Sequence, residues 1–183
     1  PAFQAGALVA NFADPGAQAC QVLRRGDWYP PETSKTGSTH AWTKGPEAFL
    51  QLPVAEPGPG KLVLTGFGLK YGEEFRRVEL LVNGRSLGVE ALPPHRDRID
   101  WPVPPHTLRR GLNEVQLKVD RTVLWDGGQR NLGVFVDFLQ FVPEGGIPLA
   151  DPYEPPAVGS ALEPGLWRTA RIVHGAGADL LLG

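Results

Sequence analysis

The sequence predicts an all-β protein built as two antiparallel sheets packed face to face, a jelly-roll-like sandwich. Short runs of alternating apolar residues recur about every ten residues, divided by Pro, Gly and Asn. The 23 Gly and 19 Pro among 183 residues favour many turns and short strands. No stretch carries a convincing helical period.

Taken in chain order, residues 7–12 and 20–23 are the weaker strand candidates. Residues 48–54 are the first clear one, with Leu50, Leu52 and Val54 on one face. Pro57, Gly58, Pro59 and Gly60 stop that run before residues 61–65 resume it. Residues 77–82 set Val78, Leu80 and Val82 on one side. Asn83-Gly84 then supplies the positive-φ tolerance of a type I′ hairpin turn, which predicts a return strand over 86–92. Residues 98–103 lie between Pro93-Pro94 and Pro104-Pro105, which cannot donate to a central ladder and so mark an edge or a loop.

After a turn at residues 111–113, residues 114–119 alternate most cleanly. Val115, Leu117 and Val119 face inward there, and Glu114, Gln116 and Lys118 face water. Residues 132–142 are apolar on both faces, with Val134, Val136 and Phe138 set against Phe135, Leu139 and Phe141, as in a strand covered on each side. About eight strands result, the number expected of two packed sheets. The sandwich is expected to occupy residues 1–143. Beyond it, residues 144–183 are rich in Pro and Gly and read as a linker and tail.

Composition narrows the function. A formal net charge of -2 offers no positive field for a polyphosphate, so no nucleic-acid partner is expected. No apolar run reaches the roughly 18 residues of a spanning helix, and no basic-then-apolar leader opens the chain, so this fragment is not expected to insert into a membrane. The lack of Met, even at position 1, leads to the expectation of a piece processed or excised from a longer protein. Cys20 stands alone, which excludes an internal disulfide and a Cys-based zinc cluster; it is expected to be a small buried hydrophobe.

The densest aromatic stretch is residues 26–52, GDWYPPETSKTGSTHAWTKGPEAFLQL. Within it Trp28, Pro31, Glu32, Trp42, Thr43, Gly45 and Ala48 follow an order of the form Gly-Trp-x-x-Pro-Glu, then Trp-Thr-x-Gly-x-x-Ala and an apolar strand. Gly111-Leu112-Asn113 and then Arg130-Asn131-Leu132-Gly133-Val134-Phe135-Val136-Asp137 complete the order. This combination, spanning roughly residues 5 to 142, resembles the extracytoplasmic β-sandwich modules of bacterial membrane glycosyltransferases and related envelope-glycan proteins. The chain departs from that pattern where Asp27 interrupts Gly26 and Trp28. The resemblance implies a galactose-binding-like sandwich, an extracytoplasmic location (periplasm or cell surface), and an accessory role in a larger protein. Its partner would be a glycan or a neighbouring domain of the same parent protein. The tail, ending in GAGADLLLG, is similar to the opening of such modules; it either begins a second, truncated copy or folds back on this domain.

Two arrangements of the singled-out residues are open. In one, Trp28, Tyr29 and Trp42 form a flat apolar platform for the C–H face of a sugar, and Glu32, Asp27 and Arg130 bond its hydroxyls. In the other, the two Trp residues close the end of the core and Glu32 pairs with Arg130 to hold the first and last strands. Accordingly the chain is expected to be a non-catalytic carbohydrate-binding-like module, with a purely structural or interaction module as the alternative. A small glycan-active enzyme is the third reading. It needs two carboxylates about 5 to 10 Å apart, and Glu32 with Asp126 or Asp137 are the candidates. His40, His95, His106 and His174 sit near Pro or Gly without a recognisable triad partner, and no Gly-x-Ser-x-Gly elbow occurs. No phosphate loop and no His or Cys cluster appears, so neither cofactor nor transition metal is expected; calcium held by loop carbonyls and Asp side chains stays open. Arg25-Gly26-Asp27 matches a cell-adhesion tripeptide, but three residues recur by chance.

Overall fold

The computed structural model describes residues 8–11, 27–33, 39–69, 76–125 and 127–146. The strand candidate at 20–23, Cys20, Arg25, Gly26, Asp126, His174 and the tail from residue 147 lie outside the described residues. Among the described residues there is no helix, and so none long and apolar enough to cross a membrane.

Among the described residues eleven strands follow one another: β1 (Leu8–Asn11), β2 (Glu32–Thr33), β3 (Thr39–Lys44), β4 (Glu47–Val54), β5 (Gly60–Gly68), β6 (Arg77–Val82), β7 (Arg85–Ala91), β8 (Asp97–Val103), β9 (Gly111–Val119), β10 (Val123–Trp125) and β11 (Arg130–Pro143). They form two antiparallel sheets. The larger runs β2-β3-β11-β5-β8, with β1 and β10 also paired to β11; the smaller runs β4-β9-β6-β7. The protein is an all-β sandwich.

Alternation explains the core. Leu50, Leu52 and Val54 of β4, with Val115, Leu117 and Val119 of β9, point from the small sheet toward Leu62, Leu64, Ile99, Trp101 and Val103 of the large one, and all are buried. Polar neighbours of the small-sheet residues face out, where Lys118 and Gln116 reach Glu47. The expected edge strand is β8, which ends one side of the large sheet, carries Pro102, and holds its Asp100 against Lys61 at 2.7 Å. The Asn83-Gly84 turn joins β6 to β7 with φ of 50° and 81°, the two positive values that a type I′ turn requires. The expected turn at 111–113 is shorter than the sequence predicts, because β9 starts at Gly111 itself. Asn113 is fully buried there. Its amide donates to the carbonyls of Arg109 (2.8 Å) and Gly111 (3.1 Å), and its carbonyl accepts from the Arg109 N–H and from Asn83. That is why an amide, and not an apolar side chain, occupies this inward position.

Strand β11 corrects the predicted facing. Its register against β5 shifts between Val136 and Phe138, so the inward set reads Val134, Val136, Leu139 and Phe141, and Phe138 leaves it. One extra residue in a ladder exchanges the faces beyond it. A second shift lies against β3, between Leu132 and Phe135. There the Val134 N–H donates to Thr43 Oγ1 at 2.8 Å, which satisfies a donor that the ladder skips. Gly133 makes this possible, since a Cβ at that position would lie 2.2 Å from Thr43 Oγ1 and 2.6 Å from the Gly45 carbonyl oxygen. Gly133→Ala is therefore expected to cost about 2 kcal/mol, read as a lower urea midpoint at unchanged slope.

Arg76 closes the end of the sandwich beside β5. Its fully buried guanidinium donates from Nη1 to the Leu132 carbonyl at 3.1 Å and the Arg121 carbonyl at 3.3 Å, tying β11 to the segment that leads into β10. Burial pushes its pKa below the usual arginine range, and Asp120 opposes that shift.

Candidate functional site

His40, Trp42, Phe67 and Phe135 lie on the outer face of the large sheet, where Phe135 is in register with both Trp42 and Phe67. Trp42 meets Phe67 and Phe135 edge-on at 5.5 and 5.4 Å between ring centres, and Phe135 stacks on Phe67 at 4.1 Å and on His40 at 4.0 Å. These rings, with Leu132 and the half-buried Tyr29, make a small apolar cluster separate from the main core. Trp42 is only 7% exposed within it.

Residues 27–29 run alongside β3. The Lys44 N–H donates to the Asp27 carbonyl at 2.7 Å, the Tyr29 N–H donates to the Trp42 carbonyl at 2.9 Å, and Trp28 bridges to Thr43. Residues directly opposite in an antiparallel pair share a face, and neighbours in a strand do not. Trp28 therefore points with Thr43 toward the main core, where it is 8% exposed and its Nε1 donates to the Phe49 carbonyl at 2.9 Å. Trp42 points the other way. The shared platform of Trp28, Tyr29 and Trp42 that the sequence suggests is not formed, because the two indoles lie on opposite sides of one sheet and both are buried.

Other residues of the candidate set do converge. The guanidinium of Arg130 lies over the Tyr29 ring at 4.4 Å, and its Nη2 stands 2.5 Å from Glu32 Oε1. This last contact is a close ion pair without the angles of an aligned hydrogen bond, which leaves Arg130 Nε and Nη2 short of directed acceptors. The Tyr29 hydroxyl accepts from the Asn131 N–H at 2.9 Å, locking ring to strand. Pairing of Glu32 with Arg130 links β2 to β11, as the second arrangement drawn from the sequence has it.

Trp125 is the residue that sequence reasoning passed over. It ends β10 opposite Arg130 in the ladder, so its indole faces the same side as Arg130, yet it is 55% exposed. The Gly128 N–H donates to its carbonyl at 3.2 Å, and the hairpin holds the indole at the rim. A signal was present: a Trp set directly before Asp126-Gly127-Gly128 has no strand left to carry it into a core. Tyr29, Glu32, Trp125 and Arg130 thus form one face that joins an exposed indole, a phenol ring, a planar cation and a carboxylate. Its polar groups suit hydroxyls and its indole suits an apolar ring face.

No protein-family model and no curated protein matches the chain. Among solved structures, a family 35 carbohydrate-binding module from an environmental isolate is 16% identical, with a TM-score of 0.45 over 71% of this chain and 98% of its own. The CBM35 of Cellvibrio japonicus Abf62 is 22% identical at 0.45, over 74% and 92%. The C-terminal CBM6 of LamC, a marine laminarinase from Zobellia galactanivorans, is 12% identical at 0.45, over 74% and 98%. The sandwich described above rests on this chain's own strand pairing.

The remaining candidates are placed as follows. Asp137 is the extra residue of the β11 shift; its side chain is fully buried and ion-paired with Arg96. It is thus not set out beside Glu32 as the second carboxylate that glycoside chemistry needs. Among the described residues no group of three His, Cys, Asp or Glu is placed to hold a metal. Two open grooves, of about 460 and 470 Å³, lie elsewhere, along β8 and around Pro143. Neither has an aromatic wall, and neither reaches Tyr29, Trp125 or Arg130.

Proposed function

We propose that the chain is a non-catalytic carbohydrate-binding module whose ligand rests on Trp125 and is held by Arg130, Glu32 and Tyr29. One observation carries this reading: an indole more than half exposed stands in register with an arginine that is already stacked on Tyr29 and faced by a carboxylate. An exposed indole offers the flat apolar surface that a sugar's C–H face covers, and the neighbouring charges supply directed bonds to hydroxyls. Trp42 supports the face from below. The resemblance in residue order extends the proposal to an accessory domain of a larger cell-envelope protein, placed outside the cytoplasm.

A docking role is the second reading, favoured by Leu124, which is 69% exposed beside Trp125. Leu124 and Trp125 are consecutive in a strand and face opposite sides, so the two readings separate cleanly. Binding to an array of neutral oligosaccharides is expected for the unaltered chain. Trp125→Ala is expected to remove it and Leu124→Ala to leave it in place. Loss of self-association or of partner binding with both variants, and no saccharide binding at all, would establish docking instead.

A further inference from the structure

Resting on the carbohydrate reading, we infer that Glu32 is a charge gate that makes this face select neutral sugars and refuse uronic acids. An incoming uronate would direct its carboxylate to the strongest planar donor on the face, the Arg130 guanidinium. That position is filled. Glu32 Oε1 stands 2.5 Å from Arg130 Nη2, with the Glu32 side chain 41% exposed and the Arg130 side chain 24% exposed; Arg130 Nε and Nη2 are themselves buried.

The pair therefore faces the ligand as a neutral unit. Hydroxyls can still approach, because they donate to Glu32 and accept from Arg130 Nη1, the guanidinium nitrogen that is not buried. A second carboxylate cannot do so without displacing Glu32 or standing beside it, and like charges brought together at a recognition surface work against binding. Asp27 and Lys44, backbone-bonded to each other further along β3, are of opposite sign and cancel formally. Glu32 also sits in the two-residue strand β2, paired to β3 by Glu32↔His40 and Thr33↔Thr39, so its backbone position does not depend on the ion pair.

The full chain titrated with matched pairs of methyl glycosides (glucose and glucuronate, galactose and galacturonate, mannose and mannuronate), followed by backbone amide shifts, tests this. The unaltered protein is expected to bind at least one neutral sugar about tenfold or more tightly than its uronate partner. Glu32→Gln keeps the side-chain shape and removes the charge; it is expected to erase most of that ratio by gaining uronate affinity, and the gain is expected to fall as salt rises. Glu32→Ser, which keeps a hydroxyl, serves if the glutamine variant loses its native amide spectrum. Equal or tighter uronate binding by the unaltered protein overturns the gate, as does an unchanged ratio in a folded Glu32 variant. Binding of neither sugar of any pair by the unaltered protein overturns the carbohydrate reading together with it.

Discussion

Trp28→Ala is expected to cost about 3–5 kcal/mol and to leave much of the chain unfolded at 37 °C, since whole domains hold only about 5–15 kcal/mol. Trp28 fills the main core against strands that long ladders hold in place, so the cavity it leaves has little freedom to close. The substitution also strips the Phe49 carbonyl of the indole N–H, which adds about 1 kcal/mol for a part-buried acceptor. Chemical denaturation with far-ultraviolet dichroism reads the loss. A midpoint within experimental error of the unaltered chain would mean that the indole is not in the core, and the facing of residues 27–29 assigned above would be wrong.

Trp125→Ala is expected to do the reverse. Binding to an immobilised neutral glycan weakens at least tenfold, about 1.4 kcal/mol, and stability stays within about 0.5 kcal/mol. The argument rests on exposure and register together. An indole 55% exposed contributes little to folding, but its flat face, in register with Arg130, is the apolar surface that the proposed sugar contact requires. Trp28, Trp42 and Trp101 are buried, so the part of the acrylamide quenching that disappears in Trp125→Phe is expected to be the part that glycan relieves in the unaltered chain. Full retention of glycan by Trp125→Ala would move the site elsewhere on the molecule.

Much of the fold was legible in the residues because a buried face imposes period two. The strands at 48–54, 77–82 and 98–103 appear within one residue of their predicted ends, and Asn83-Gly84 forms the turn its chemistry requires. β3 went unseen. Its sequence Thr-His-Ala-Trp-Thr-Lys alternates small or buried residues with residues that pack on the outer face, so neither face looks apolar in isolation. β10 is the three apolar residues Val-Leu-Trp with Leu124 and Trp125 exposed, too short a run to show an alternating period.

The site was half legible. Aromatic density and residue order pointed to Trp28, Tyr29, Glu32, Trp42 and Arg130; Tyr29, Glu32 and Arg130 meet, Trp42 packs in the cluster beside Tyr29, and Trp28 turns into the main core, because the order could not show which way each indole points. A single bridge, Trp28 to Thr43, sends Trp28 inward and so Trp42 outward. The extra residues in β11 then decide the rest, turning Leu132 and Phe135 to one side and setting Asp137 under Arg96. A shift of one residue costs the ladder little locally but reverses every side chain beyond it, and it leaves no trace in composition.

The sequence by itself determined that this is a β protein, where most of its turns fall and which residues belong to the core of the small sheet, because local spacing and turn chemistry are properties of neighbours along the chain. Only the tertiary structure decided that Trp28 and Trp42 are divided by a sheet and that Trp125 stands exposed beside Arg130. The facing of a side chain across two strands is set by a register between residues up to about a hundred positions apart, as between Tyr29 and Asn131.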